Sequence, residues 1–197
     1  MTTGPLNIFE YEALAKERLP SADYDYIAGG GADEITLRRN RAVFDSIMLR
    51  PRVLVDISQQ DMSTTVLGTR IELPVMADPS GHHTIAHPDG ELATARATGS
   101  MGTVMVLSSS PAYTLEEVAQ AATGPIWFQQ YLYRDPGLTK AFANRAEEAG
   151  YTALCVTLDA TLRSKRERDT RNNYTTPLPA IYAGLGLEKQ QHEQPGS

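Results

Sequence analysis

At 197 residues, with 41% hydrophobic and 21% charged side chains, the chain is long enough to bury one sizeable core and has a soluble, globular composition. A net charge of −6 argues against a general nucleic-acid binder, and no run is long and apolar enough to span a bilayer or act as a signal segment. With Cys155 as the lone cysteine, an intramolecular disulfide is excluded and a reducing, cytoplasmic setting is expected.

After a short polar start, Ile8, Tyr11, Ala15 and Leu19 recur at helical spacing. Pro20 and Ser21 break this helix and begin a second through Tyr24, Tyr26 and Ile27. Gly29-Gly30-Gly31 ends it. The triplet is no phosphate loop, because no strand precedes it and no Gly-Lys-Ser/Thr follows; a helix cap and turn is the plainer account. A third helix is predicted over 32–46, with Leu37 and Phe44 inward and Arg38, Arg39 and Arg41 outward. Val53, Leu54, Val55 and Ile57 predict a short extended piece. Residues 64–67 and 70–73 read as a hairpin turning at Gly68-Thr69.

From Leu73 the pattern changes to a βα rhythm. Apolar runs at 73–77, 103–107, 126–131 and 151–159 alternate with predicted helices at 88–101, 114–122 and 136–149. Thr114 and Glu117 are spaced as a capping box. Right-handed crossovers permit an open doubly wound sheet or a (β/α)₈ barrel. The barrel is favoured because each strand ends in a polar group (Ser80, Ser108, Gln129, Thr157, Asp159) and no Gly-x-Gly-x-x-Gly turn follows any strand. The fold class is therefore the N-terminal part of a (β/α)₈ TIM barrel, about four strands, preceded by a helical segment and a small hairpin. The boundaries fall at 1–72 for the helices and hairpin, 73–179 for the first half of the barrel, and 180–197 for a flexible tail. A half-barrel leaves two unpaired edges.

Candidate chemistry gathers at the last strand, 153–159, whose continuous apolar run predicts burial on both faces with Cys155 in the core. Asp159, at its end, is either a cap or salt-bridge partner of the arginines that follow, or a carboxylate that orients a catalytic base. Arg163, Lys165, Arg166, Arg168 and Arg171, offset by Glu167 and Asp169, leave a net +3. Most of this run reads as a solvated loop, with one guanidinium aimed at a substrate carboxylate. Nucleic-acid binding is disfavoured, since aromatic residues are not interleaved with the basic ones. Gln129 and Tyr131 are two apart and share a strand face, in a barrel the interior. Tyr24 and Tyr26 read equally as packing residues. His82, His83 and His87 raise a metal question, but no carboxylate or cysteine completes a recognisable set, so no metal is expected.

Several motifs, in order, now match a family: Tyr24-Asp25-Tyr26-Ile27-Ala28-Gly29-Gly30, Asn40-Arg41, Arg50-Pro51-Arg52, His87-Pro88-Asp89-Gly90-Glu91, Leu107-Ser108-Ser109, Trp127-Phe128-Gln129-Gln130-Tyr131 and Thr157-Leu158-Asp159. From about Tyr11 to Pro179 the chain resembles the N-terminal half of the FMN-dependent 2-hydroxy acid oxidases and dehydrogenases, which include glycolate oxidase, lactate oxidase and mandelate dehydrogenase. The resemblance implies a (β/α)₈ barrel, usually a tetramer, with FMN at its C-terminal mouth. It implies that Tyr26 and Arg166 bind the substrate carboxylate and that Pro79, Ser80 and Gly81 approach the flavin. It gives Ser108, Gln129 and Thr157 the polar edge of the flavin ring, places Tyr131 near the substrate hydroxyl, and pairs Asp159 with the catalytic histidine. That histidine, a neighbouring arginine, a lysine near the flavin and the phosphate-binding glycine loops belong to strands five to eight of the family, none of which is in this chain. Asp78 stands where a small or apolar residue is usual, Gln130 replaces a usual Leu, and Ser164-Lys165-Arg166 stands where Gly-Arg-Arg is common.

The expected activity of the full-length form is FMN-dependent oxidation of a small L-2-hydroxy acid, lactate- or glycolate-like, to the 2-oxo acid. The chain alone reads as truncated and inactive, with a homo-oligomer or a complementary C-terminal half as its partner. The alternative is a degenerate, non-catalytic half-barrel that acts as an assembly partner.

Overall fold

The computed structural model describes residues 4–159, 164–177 and 179–182. They divide into two compact units, one holding the described residues up to 55 and those from 164 to 176, the other those from 56 to 159 and from 177 on.

In the first unit, α1 (Ile8–Arg18) is capped by Asn7, whose side-chain oxygen accepts from the backbone N–H groups of Phe9 and Glu10 at 3.0 and 3.1 Å. Proline 20 separates it from α2 (Ser21–Ala28). The third helix, α3 (Ile35–Ala42), starts three residues later than expected and passes into a short 3₁₀ turn, Val43–Ser46. The delay has a backbone cause: Ala32 and Glu34 sit at φ 46° and 55°, left-handed values that a right-handed helix cannot include. Leu37 and Phe44, expected inward, are 39% and 63% exposed. None of α1 to α3 has a buried residue, so this unit offers no core for them to enter. The extended piece expected at 53–57 forms no strand, and Leu54 has φ 59°.

The second unit opens with a hairpin, β1 (Thr64–Val66) and β2 (Thr69–Ile71), paired antiparallel with Val66 opposite Thr69. Its turn is Leu67-Gly68, one residue earlier than predicted. Both residues have positive φ, 47° and 78°, as a two-residue type I′ turn requires.

The parallel sheet follows: β3 (Met105–Leu107), β4 (Ile126–Tyr131) and β5 (Leu154–Thr157), in that spatial order. The predicted first strand at 73–77 is reduced to one parallel bridge from Ala77 to Met105, held by bonds of 3.0 Å to the carbonyl of Val104 and from the N–H of Val106. Val75, the next residue in phase, does not extend the ladder: its N–H donates to the Leu73 carbonyl at 2.9 Å and its carbonyl accepts from the Thr103 hydroxyl. The crossovers are α4 (Gly90–Ser100), α5 (Leu115–Ala121) and α6 (Pro136–Glu148). The expected capping box is present at α5, where Thr114 and Glu117 satisfy each other's backbone N–H groups. Each strand neighbours the next in sequence, with no reversal of order. That is the winding of a barrel segment; a doubly wound sheet reverses at its switch point.

Strand parity divides the core. Met105, Leu107, Ile126 and Phe128 face the helices and pack with Leu115, Val118, Phe142 and Ala146. Val104, Val106 and Trp127 form a second cluster with Ile71 of the hairpin, against which Cys155 packs. The expectation that β5 is buried on both faces is corrected: Leu154 and Val156 are 44% and 43% exposed. Leu154 is in register with Phe128 and so lies on the helix side of the sheet. Among the described residues of this unit, no α-helix follows β5, only the 3₁₀ turn Ala180–Tyr182. The last helix, α7 (Glu167–Arg171), is assigned to the first unit.

Candidate functional site

The carboxyl ends of β3, β4 and β5 carry a connected set of uncharged polar groups. Gln129 is buried, and its Oε1 accepts from the backbone N–H of Ser109 at 3.1 Å and the Ser109 hydroxyl at 3.3 Å. Its Nε2 donates to Thr157 Oγ1 at 2.8 Å. The amide therefore ties three successive strand ends together and is held in one orientation from both sides. Ser108 is also buried, and its hydroxyl accepts from the Ser110 N–H at 3.1 Å. Tyr131, two residues beyond Gln129, is the register partner of Thr157. It shares the face of Gln129, as its spacing predicts. Asp159, two residues beyond Thr157, is exposed.

The loop from Pro79 to Gly81 lies against this set. A Cβ at Gly81 would lie 3.0 Å from the Ser110 Cβ and carbonyl oxygen and 3.6 Å from Ser108 Oγ, so a larger side chain there would crowd this approach. Ser80 is exposed, and its hydroxyl lies 2.7 Å from His83 Nε2. Thus, of the predicted cofactor-binding residues, Gln129 and Thr157 are joined by a hydrogen bond, Ser108 adjoins the Ser109 that holds Gln129, and Gly81 lies close to Ser108 and Ser110. The set suits a flat ring edge on which carbonyl and N–H groups alternate, since hydroxyl and amide groups can both give and accept.

Tyr26 and Arg166 belong to the first unit and meet there. The guanidinium sits 5.3 Å from the Tyr26 ring centroid, donates through Nη2 to the Tyr26 carbonyl, and donates through Nε to Asp169 Oδ2 at 2.6 Å. Tyr26 stacks on Tyr174 with centroids 4.9 Å apart, and the Tyr174 hydroxyl donates to Asp23 at 3.0 Å. Arg168 bridges Asp25 and Glu34 at 3.3 and 2.7 Å. The basic run is therefore largely ion-paired within its own unit, where a solvated loop was expected; Arg163 lies outside the described residues. The glycine triplet forms the seat for this segment. Gly29 caps α2, the Ala32 N–H donates to the Lys165 carbonyl at 2.8 Å, and a Cβ at Gly31 would come 2.8 Å from Ser164 Cβ.

Sequence reasoning passed over two participants. Ser109 grips Gln129, but strand parity pointed to its neighbour Ser108. Glu91 is fully buried, and its Oε1 accepts from the N–H groups of His83 and Ala112 at 3.0 and 3.1 Å. The available signal was an acidic residue one helical turn before Ala95, on a face that packs inward.

Electrostatics exclude some chemistry. Burial pushes the Cys155 thiol above its ordinary value, which disfavours a nucleophilic thiolate. Burial also raises the Tyr133 and Tyr151 phenols, so both stay protonated. Among the described residues, no group of three or more His, Cys, Asp or Glu side chains converges as a metal site.

Residues 15–195 match the family model described as FMN-dependent dehydrogenase. The chain is 50% identical over 187 residues to an L-lactate oxidase of Nostoc sp. (strain PCC 7120 / SAG 25.82 / UTEX 2576), covering 93% of this chain and 51% of that protein. It is 47% identical over 186 residues to glycolate oxidase 3 of Arabidopsis thaliana, covering 93% and 50%. Among solved structures, a mandelate oxidase aligns with a TM-score of 0.88 at 30% identity, over 98% of this chain and 57% of that one. A variant of the active chimera of (S)-mandelate dehydrogenase aligns with a TM-score of 0.86 at 34% identity, over 91% and 51%. The chain spans about half the length of the curated relatives it matches.

Proposed function

Because the chain belongs to the FMN-dependent dehydrogenase family, whose cofactor is FMN, we propose that it contributes the flavin-facing strand ends of a site that oxidises a small L-2-hydroxy acid, lactate- or glycolate-like, to the 2-oxo acid. The observation that carries this reading is the Gln129 amide, fixed between Ser109 and Thr157 across three strand ends. Ser108, Gln129 and Thr157 hold the polar edge of the flavin ring, and Pro79, Ser80 and Gly81 present the loop after the Ala77 bridge to it. FMN, when bound, takes the two electrons of the substrate's α-carbon–hydrogen bond. Tyr131 hydrogen-bonds the substrate hydroxyl. Asp159 orients, and stabilises the protonated form of, a histidine base contributed by later barrel strands. Tyr26 and Arg166 bind the substrate carboxylate, for which a guanidinium is the best-matched side chain. A cytoplasmic setting agrees with the unpaired Cys155.

A second reading, assembly with a complementary half or another copy, draws on the exposed apolar side of β5. It complements the first, since a partner that completes the sheet would also complete the site.

The test is titration of the 197-residue chain with FMN, followed by anaerobic addition of L-lactate or glycolate. Weak quenching of flavin fluorescence, weaker still in Gln129→Leu, is expected, without bleaching of the flavin by substrate. Absence of FMN binding would sink the cofactor reading. Bleaching by the chain alone would sink the assignment of the base to later strands.

A further inference from the structure

The histidines before α4 have no role in the proposed chemistry, yet His83 is held on every side. Its Nε2 lies 2.7 Å from Ser80 Oγ and its Nδ1 3.1 Å from Thr94 Oγ1. Its backbone N–H donates to Glu91 Oε1 at 3.0 Å, and the same oxygen accepts from Ala112 at 3.1 Å. The neighbouring His82 N–H donates to the Ser110 carbonyl at 2.9 Å. Glu91 and Thr94 are three apart on α4, so one helix face grips the loop of residues 79–83 through both its backbone and its imidazole. A carboxylate buried as fully as Glu91 is unfavourable unless N–H donors hold it. Here the donors are backbone groups of the two loops that meet at Gly81. The consequence falls on Ser80. A hydroxyl on an exposed loop ordinarily rotates freely, whereas this one is fixed by the ring behind it.

We propose that His83 is a positioning residue that acts on the flavin through Ser80: its imidazole sets the direction of the Ser80 hydroxyl, and Glu91 fixes the loop backbone beneath. The inference rests on the reading that residues 79–81 face FMN. It goes beyond that reading in giving the histidine and the buried carboxylate a role.

The test combines FMN titration of Ser80→Ala, His83→Ala, the double variant and His83→Gln with NMR of the imidazole nitrogens. Each alanine variant should weaken FMN binding roughly three- to tenfold, the range of one hydrogen bond. The double variant should lose no more than the larger single loss, because the two side chains act as a unit. His83→Gln, which keeps a donor and an acceptor, should bind within about twofold of the unaltered chain. Ser80→Ala alters only an exposed side chain. Without FMN it should move the Nε2 resonance of His83 and leave Nδ1 in place, which tests the contact even where His83→Ala fails to fold. Fully additive losses, or an Nε2 resonance indifferent to Ser80→Ala, would overturn the proposal. Unaltered protein that binds FMN while His83→Ala binds equally well overturns this inference alone. Unaltered protein that binds no FMN overturns the cofactor reading and this inference with it.

Discussion

At the scale of single residues, the site depends on Gln129 having partners at both ends of its amide. Gln129→Leu strands the buried N–H of Ser109 and the hydroxyl of Thr157 without adding useful packing. A loss of about 1–3 kcal/mol in urea-unfolding stability is expected, the cost of an unsatisfied buried donor. Gln129 was legible in the sequence because strand parity put it on the interior face. Ser109 was not, because it reaches Gln129 partly through its backbone, which carries no sequence signature. Glu34 gives the residue-scale prediction for pH. The Arg168 hydrogen bond first, then the Gly30 N–H, hold its carboxyl below the ordinary value of 4.5. A depressed carboxylate stabilises the fold above its unfolded value, and that stabilisation fades as pH falls through the folded value. Thermal melts of the unaltered chain and Glu34→Gln should differ most above about pH 5 and converge as Glu34 protonates at lower pH. A difference that persists unchanged in acid would count against the Arg168 pairing.

At the scale of elements, α5 and α6 test how the βα units are built. Thr114→Ala removes the capping box of α5 and should cost about 1 kcal/mol, read as a lowered midpoint in urea at unchanged slope. Phe142 is fully buried on α6 and packs against Tyr133 and Tyr182 at ring distances of 5.5 and 5.8 Å. Phe142→Ala should cost about 3–5 kcal/mol, enough to unfold a marginal domain. A cost below about 1 kcal/mol would mean that the layer between sheet and helices is not the core. The capping box was visible in the sequence because its partners are three residues apart. The hairpin turn was displaced by one residue because glycine marks a positive φ without saying which of its neighbours shares it.

At the scale of the whole molecule, the uncovered side of β5 is the feature with the largest consequence. Leu154 and Val156 occupy helix-facing positions of a strand whose far edge has no partner strand among the described residues. Such an edge with apolar flanks invites association. Sedimentation of the unaltered chain should show concentration-dependent assembly, and Leu154→Lys with Val156→Lys should shift it toward monomer. Because both side chains are already exposed, the paired change should alter unfolding stability by no more than about 1 kcal/mol. A monodisperse monomer of the unaltered chain would count against assembly through β5.

The sequence by itself determined the alternation of strands and helices, the polar strand ends, the capping box and the family pattern. The first three follow from periodicities of two and 3.6 residues and from contacts only a few residues apart; the family pattern is a resemblance carried by ordered motifs. Tertiary structure alone decided that the Gln129 amide would join Ser109 to Thr157, that Glu91 would be buried as a clip between two loops, and that Arg166 would pair with Asp169 and stack on Tyr26. It also decided which side of β5 lies open. The physical reason is that a local pattern fixes where a side chain points along its own element. What the side chain meets depends on strand register and loop path, and those are set by packing across the entire sheet.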